Sequence, residues 1–342
     1  MYSFQNDYSE GCHPRILEAL VRSNLEQTAG YGRDPHCQAA ARLIQEAAAC
    51  PEAQVHFLSG GTQTNLLAVS AFLRPWEAVI AAETGHIAGH EAAAVEATGH
   101  KVIPVPAPAG RLTPESIEQA VQAHQEEYTP RPALVYLSQA TELGTVYSRA
   151  ELEAVSQVCR RLGLALFLDG ARLAQAMAAS DLALSDLPRL CDAFYLGGTK
   201  NGALLGEALV VVAPSLHPHF RRAMKQRGAI LAKGRLLGIQ FEELFRDGLY
   251  WELGRRAVEM GQRLQEGLLK LGLSMSHLSP TNQLFPVVPR PLLPEVDRLC
   301  RYEVWEAREN ASVLRLCTSW ATPAEAVDRF LAELARSMAA RR

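Results

Sequence analysis

Short apolar segments alternate with longer helical patterns between about residues 53 and 213, and this alternation limits the folds open to the chain. Most of the segments lie ten or more residues apart, which leaves room for a crossover helix between parallel strands. Continuously apolar segments of this kind are typical of strands covered on both faces. The pattern therefore predicts an α/β fold with a mainly parallel sheet, whose strand candidates are Val55–Leu58, Ala78–Ile80, Lys101–Val105, Ala133–Leu137, Leu164–Leu168, Ala193–Leu196 and Leu209–Val212.

Helix starts support this interpretation. Ser148-Arg-Ala-Glu151 and Thr322-Pro-Ala-Glu325 have the form of capping boxes, the second with Pro323 as the first helical residue, and Thr113-Pro114 opens a third helix in the same way.

The alternation stops after Ser215, where the chain becomes mostly helical as far as about Leu271. Two short strand candidates follow, Gln283–Phe285 and Ser312–Cys317, separated by a helical pattern and followed by a last helix. This change predicts a large α/β domain with a connecting helix (15–250) and a small C-terminal α+β domain (251–342).

Composition excludes several classes of function. The 34 Lys and Arg against 37 Asp and Glu form no basic stripe, which argues against a nucleic-acid partner. Seven scattered cysteines without a C-x-x-C pair argue against a disulfide framework and against a metal site. The longest uncharged run, Phe57–Leu73, is too short and polar to span a membrane, and the N-terminus lacks signal-peptide character. We expect a cytoplasmic protein that acts on a small molecule.

Ser59-Gly-Gly-Thr-Gln-Thr-Asn65 lies directly after a predicted strand and before a helix expected to begin at Leu66. Glycines let backbone N–H groups approach an anion, and a helix N-terminus carries positive potential, so Gly60, Gly61 and Thr62 are candidates to hold a phosphate. The segment matches neither the phosphate-loop nor the dinucleotide motif. The alternative is an ordinary strand-to-helix turn.

Two further candidates follow other strands. Asp169 comes directly after Leu164–Leu168, where ligands of open α/β sheets bind; it could also merely pair with Arg172 or cap the next helix. Lys200 stands among glycines after a later strand, where its amine could form a Schiff base, although an isolated loop lysine is usually solvated. A phosphate cradle, a strand-end Asp and such a Lys together are what pyridoxal phosphate requires. His86 follows another strand and could stack on a flat ring.

With these motifs in this order, the sequence resembles the fold-type-I pyridoxal-phosphate enzymes, and within them the low-specificity L-threonine aldolase group, also called the β-eliminating lyase family. The resemblance covers most of the chain and rests on Asn6–Pro14, Tyr31–Pro35, Gly60–Asn65, Gly85–Ile87, Asp169–Arg172, Gly198–Lys200 and Leu314–Trp320.

The resemblance implies roles for individual residues. Lys200 would form the Schiff base, Asp169 would bind the pyridinium nitrogen, and Arg172 would lie near the ring oxygen or the substrate. Gly60, Gly61 and Thr62 would bind phosphate, and His86 would stack on the ring. Arg315 would bind the substrate α-carboxylate, and Asn6 and Tyr31 would also bind substrate. Asp7 and Tyr31 would line the site or its subunit boundary, and residues 1–14 would form an N-terminal segment that contributes to the active site.

The family also builds its sites across a subunit interface, which implies a homodimer or homotetramer. Lys225, Lys233 and Arg235 would then reach the phosphate of a neighbouring subunit; the alternative is a solvated basic helix.

The chain departs from the family pattern in two places. Asn6-Asp7-Tyr8 stands where the family has Ser-Asp-Thr, and Glu142 stands where it has a histidine. The expected reaction is aldol cleavage of L-threonine, L-allo-threonine or another L-β-hydroxy-α-amino acid to glycine and an aldehyde. Glu142, His86 or an ordered water could take the β-hydroxyl proton. The alternatives are β-elimination, racemisation, or cofactor binding without turnover.

Overall fold

The computed structural model describes residues 1–340. Its strands are β1 (Tyr2–Ser3), β2 (Gln54–Leu58), β3 (Glu77–Ala82), β4 (Lys101–Val105), β5 (Arg131–Ser138), β6 (Ala165–Asp169), β7 (Ala193–Gly197), β8 (Glu207–Val211), β9 (Ser274–Met275), β10 (Gln283–Leu284), β11 (Pro286–Pro289), β12 (Cys300–Arg301), β13 (Glu303–Ala307) and β14 (Ala311–Cys317).

The helices fill the intervals between most of these strands. They are α1 (Pro14–Arg22), α2 (Pro35–Ala47), α3 (Gly61–Phe72), α4 (His86–Gly89), α5 (Pro114–Gln122), α6 (Arg149–Leu162), α7 (Leu173–Ala178), α8 (Leu187–Leu190), α9 (Phe220–Gln226), α10 (Arg235–Phe245), α11 (Leu249–Lys270), α12 (Leu293–Leu299) and α13 (Ala324–Ala339). Within residues 1–340, no helix combines the length and the hydropathy needed to cross a membrane.

The seven strands predicted between residues 53 and 213 form one sheet with the order β2-β8-β7-β6-β5-β3-β4. All of its strands are parallel except β8, which runs antiparallel to both of its neighbours. Side chains of β6 alternate between two hydrophobic clusters, since Leu166 and Leu168 lie in one and Phe167 lies in the other. The sheet is therefore covered on both faces, and the predicted α/β class is confirmed.

Two of the three helix starts predicted from the sequence are confirmed. The side chains of Ser148 and Thr113 each cap their helix and complete a reciprocal capping box. At Thr322 the prediction is wrong, because α13 begins at Ala324 and Pro323 is the capping residue. The Thr322 hydroxyl instead accepts hydrogen bonds from the backbone N–H of Ser319 and from the Tyr2 hydroxyl.

The C-terminal part is built around β14, which pairs with β10, β11 and β13. The sequence indicated β10 and β14 but missed β11 and β13. A third hydrophobic cluster lies here and includes Phe4 from the N-terminal segment. Helix α11 contributes Tyr250 and Leu253 to the core of the large sheet and Leu264 to the C-terminal cluster. The division into residues 1–14, 15–250 and 251–342 stays a prediction.

Candidate functional site

A cavity of about 350 Å³ lies at the carboxyl ends of the parallel strands of the large sheet. Loops that follow β2, β3, β5, β6 and β7 meet there, as expected for an open α/β sheet. Every predicted catalytic and cofactor-binding residue contributes to its lining, namely Gly60, Gly61, Thr62, His86, Glu142, Asp169, Arg172 and Lys200. The predicted substrate-binding residues do not line it: Asn6, Tyr31 and Arg315 lie elsewhere.

The phosphate cradle is the start of α3. This helix begins at Gly61, five residues earlier than the sequence indicated, so the cradle is the first helical turn itself. Amide N–H groups of a first turn have no partners within the helix and are available to an anion. The space beside this turn is open at Gly60, where a side chain would meet no atom within 4 Å, and is limited at Gly61, where a Cβ would lie 3.2 Å from the Tyr195 hydroxyl. Open space at a helix N-terminus suits a phosphate group.

Asp169 lies at the end of β6 and is almost fully buried. Its Oδ2 accepts hydrogen bonds from Tyr136 (2.5 Å) and Asn65 (3.0 Å), and its Oδ1 accepts one from the N–H of Ala171 (3.0 Å). These donors hold the carboxylate at the wall of the cavity. The alternative pairing with Arg172 is wrong, because Arg172 pairs with a different carboxylate.

That carboxylate is Asp7, which has no exposed surface. Arg172 donates from Nε to Oδ2 (2.7 Å) and from Nη2 to Oδ1 (3.0 Å), and Asn282 donates to Oδ2 (2.9 Å). Burial alone would raise the pKa of Asp7, but the positive charges of Arg172 and Lys200 outweigh it and lower the pKa to about 2. This ion pair ties the N-terminal segment to the wall of the cavity.

Lys200 lies in the turn after β7 and lines the cavity together with a further buried carboxylate, that of Glu207. Burial, followed by the positive charge of Arg172, lowers the pKa of Lys200. Glu207 accepts a hydrogen bond from the N–H of Gly198 (3.0 Å), and burial raises its pKa to about 8. Both shifts favour the neutral forms, and the neutral lysine amine is the form that attacks a carbonyl.

Glu142 lines the cavity, and two hydrogen bonds to one of its oxygens hold its carboxyl group in place. Its Oε1 accepts hydrogen bonds from the Ser138 hydroxyl (2.7 Å) and the N–H of His86 (2.9 Å). Its Oε2 is buried and has no hydrogen-bond partner among the described residues. Burial is the main cause that raises the pKa of Glu142, and the charge of Asp169 adds to it.

The loop that carries Glu142 is bound to the C-terminal part of the chain. The backbone oxygens of Thr141, Leu143 and Gly144 accept hydrogen bonds from four side chains of that part, which are His277 (2.7 Å), Ser279 (3.0 Å), Thr281 (3.1 Å) and Gln283 (3.0 Å). We call this set of contacts the loop clamp.

Arg315 of β14 forms an ion pair with Glu303 (2.6 Å) and lies over the ring of Trp305. Its side chain is 15% exposed, so the guanidinium is not a surface group. Burial, followed by the positive charges of His86 and Arg315, lowers the pKa of His90.

Asn6 and Tyr31 occupy different surroundings. The Asn6 Oδ1 accepts hydrogen bonds from the N–H of Tyr8 (3.0 Å) and from Ser9 (2.9 Å), and this turn puts Tyr8 rather than Asn6 on the cavity. Tyr31 is half-exposed, with the Lys225 ammonium 5.0 Å from its ring centre. It lines a separate depression of about 490 Å³ together with Arg33, Arg221, Arg222, Lys225 and Ile230.

The other predicted basic residues also lie away from the cavity. Lys233 is exposed, and Arg235 donates to the backbone oxygens of Asn24 and Glu26 in its own chain. In the cavity itself, sequence reasoning missed Tyr8, Ser138, Tyr195 and Glu207. For Glu207 a signal was available, because a charged residue begins the otherwise apolar strand β8.

These residues fit pyridoxal phosphate, because an anion cradle, a buried carboxylate and a lysine of lowered pKa face one cavity. The sequence profile of the beta-eliminating lyase family matches residues 7–289. A low specificity L-threonine aldolase of Pseudomonas aeruginosa is 30% identical over 98% of this chain and 96% of its own length. A second one, from another Pseudomonas strain, is 31% identical over 85% of each chain.

Comparison with solved structures supports the same family. The threonine aldolase of Leishmania major is 49% identical, with a TM-score of 0.97 over 98% of this chain and 99% of its own. A mutant aspartate aminotransferase of Thermus thermophilus, 18% identical with a TM-score of 0.71 over 98% and 91% of the two chains, shares the fold alone. The chain belongs to the beta-eliminating lyase family and is a pyridoxal-phosphate-dependent lyase of fold type I.

Proposed function

We propose that this protein cleaves L-threonine, L-allo-threonine or another L-β-hydroxy-α-amino acid to glycine and an aldehyde. The observation that carries the proposal is the position of Glu142, which lines the same cavity as Lys200 and Asp169 and whose buried Oε2 has no hydrogen-bond partner among the described residues. An aldol cleavage needs a proton acceptor for the β-hydroxyl beside the cofactor, and Glu142 supplies one. The names of the Pseudomonas and Leishmania relatives support the same reaction.

Three groups of this chain would hold the cofactor. Lys200 would bind its aldehyde carbon, Asp169 would hold its ring nitrogen protonated, and the N-terminus of α3 at Gly60, Gly61 and Thr62 would hold its phosphate. When bound, pyridoxal phosphate supplies the electron sink for the pair released as the Cα–Cβ bond breaks. Asn65 and Tyr136 keep the Asp169 carboxylate in place for this role.

Two residues of the cavity, Glu142 and His86, are the candidate proton acceptors. Neither the buried Oε2 of Glu142 nor the Nε2 of His86 makes a hydrogen bond with the described residues. A raised pKa makes Glu142 a stronger base than an ordinary carboxylate. We propose that these two groups take the β-hydroxyl proton and return it. Unchanged activity in both Glu142→Gln and His86→Phe would contradict the assignment.

Arg315 is proposed to bind the substrate α-carboxylate with two parallel hydrogen bonds. Glu303 holds this guanidinium at 2.6 Å, so a substrate carboxylate would have to displace Glu303 or share the guanidinium with it. Glu303 is 44% exposed and can turn towards solvent without leaving a buried charge.

The assembly is proposed to be a homodimer or homotetramer. Tyr31 and Lys225 lie on an open, basic depression away from the cavity of their own chain, which suits residues that complete a neighbour's site. Lys233 is exposed and could reach a neighbouring phosphate, whereas Arg235 would first have to release its own chain's carbonyls. We also propose a cytoplasmic location, because seven free thiols are typical of a reducing compartment.

The test begins with the absorption spectrum of the purified protein, before and after borohydride. We expect a visible band that reduction abolishes and a label that maps to Lys200. Lys200→Ala should lose the label, while Lys270→Ala, which changes an exposed lysine, should retain it. Glycine and acetaldehyde from L-threonine would support aldol cleavage. A colourless protein with added cofactor, or products of β-elimination or racemisation only, would refute it.

A further inference from the structure

Glu91 is a fully buried carboxylate to which neither the sequence nor the proposed reaction assigns a role. Its Oε1 accepts hydrogen bonds from Asn65 Nδ2 and lies 2.7 Å from His86 Nδ1. Its side chain has no exposed surface, and its Oε2 has no partner among the described residues. Burying a carboxylate with an unpartnered oxygen costs free energy of folding. We therefore expect the contacts of Glu91 with Asn65 and His86 to have a function at the site.

The contact determines which nitrogen of His86 carries a proton. A carboxylate can only accept hydrogen bonds, so His86 Nδ1 must be the donor. In the neutral imidazole Nε2 is then left without a proton, and it is the nitrogen free of hydrogen bonds to the described residues. His86 lines the cavity, so the contact makes this side chain an acceptor towards the substrate.

The backbone that carries Glu91 is unusual. Ala92 and Ala93, the next two residues, both adopt left-handed conformations, with φ of 49° and 58°. Two consecutive alanines in this region are unfavourable, because the Cβ atom crowds the carbonyl oxygen. Such a turn persists only where surrounding contacts hold it, and the two hydrogen bonds to Glu91 are contacts of that kind.

Asn65 extends the arrangement to the ring-nitrogen site. Its Nδ2 donates to Glu91 Oε1 at 2.7 Å and to Asp169 Oδ2 at 3.0 Å. The two amide protons therefore connect the carboxylate behind His86 with the carboxylate proposed to hold the cofactor nitrogen. A displacement of either carboxylate would therefore change the hydrogen bond that Asn65 makes with the other.

We propose that Glu91 is a positioning residue that holds His86 in the Nδ1–H form, so that Nε2 faces the cavity as a proton acceptor. The catalytic consequence of this inference rests on the proposed function, whereas the position of the proton on the His86 imidazole does not depend on it. Glu91 acts through His86 and does not contact the substrate.

The first experiment measures the tautomer of His86 by ¹⁵N NMR of the full-length protein labelled at its ten histidines, with and without pyridoxal phosphate. His86→Asn identifies the relevant signals. We expect the protonated nitrogen of neutral His86 to be Nδ1. A proton on Nε2 would overturn the proposal, whatever reaction the enzyme catalyses, because this measurement needs no turnover.

The second experiment compares Glu91→Gln with Glu96→Gln, a change of an exposed residue in the next turn. A glutamine keeps the shape of Glu91 but offers His86 either an oxygen or an amide N–H, so both tautomers should become populated. We expect kcat to fall about 10- to 100-fold with KM within about twofold, the range known for carboxylates that orient metal-bound histidines.

Glu96→Gln should leave both the spectrum and kcat unchanged. Equal kcat in the two variants, or an unaltered tautomer in Glu91→Gln, would refute the positioning role. If the wild-type protein forms no glycine, the proposed function fails while the tautomer result still decides the role of Glu91.

Discussion

Replacing Asp7 by Asn tests how much the buried ion pair with Arg172 contributes to stability. The pKa of Asp7 is lowered from its ordinary 3.8 to about 2, and each pKa unit corresponds to about 1.4 kcal/mol, so the charged form contributes about 2 kcal/mol. Asp7→Asn also leaves the guanidinium of Arg172 buried without a counter-charge. Breaking one half of a buried pair costs about 3–5 kcal/mol in all, and we expect a loss of that size.

The chain offers a matched control on its surface. Arg263 donates from Nε and Nη2 to the two oxygens of Asp328 at 2.7 and 2.6 Å, the same two-nitrogen geometry as in the buried pair. These two side chains are 49% and 50% exposed, so Asp328→Asn should cost about 1 kcal/mol or less. The difference between the two variants therefore isolates the effect of burial.

The assay is urea unfolding at neutral pH, with the midpoint and slope determined for the wild type and both variants. Because the native pKa of Asp7 is depressed, its contribution is complete above about pH 4 and is lost as the pH falls towards 2. The gap between wild type and Asp7→Asn should be constant from pH 5 to 8 and narrow in acid. Equal losses in the two variants, or a gap that widens in acid, would refute the reasoning.

Three further predictions concern packing, substrate binding and helix capping. Gly238→Ala should cost about 1–3 kcal/mol in urea unfolding, because its Cβ would lie 2.5 Å from the backbone nitrogen of Cys37; a stable variant would mean that α10 can move away from α2. Glu303→Gln should lower KM up to about fivefold with kcat unchanged, because it removes a competitor for Arg315 worth about 1 kcal/mol or less; an unchanged KM would count against Arg315 as the carboxylate site. Ser148→Ala should lower the free energy of unfolding by about 1 kcal/mol through loss of its capping box, which the urea midpoint would detect.

Sequence reasoning identified the strands of the large sheet because each is apolar on both faces and ends in a polar or glycine-rich loop. For the same reason Asp169, Lys200, Gly60 and His86 could be placed on one cavity, since carboxyl ends of parallel strands share an edge.

Residues whose positions depend on tertiary contacts were harder to predict. Thr322 has the pattern of a helix cap, but a hydroxyl can accept from any nearby donor, and Tyr2 lies 320 residues away in sequence. Strand β13 escaped detection because its pairing with β14 leaves it mostly exposed and therefore without an apolar pattern. Glu91 was passed over because one of its partners, Asn65, lies in α3, 26 residues earlier, and this contact is visible only in the folded chain.

The loop clamp has a mechanical consequence. Four hydrogen bonds join the Glu142 loop to the segment between His277 and Gln283, which precedes the strands that carry Arg315 and Glu303. If the C-terminal part shifts against the large sheet, it pulls the Glu142 loop in the same direction. The proposed proton acceptor and the proposed carboxylate site would then move together, so the spacing between the groups that contact the two ends of a bound amino acid would be kept.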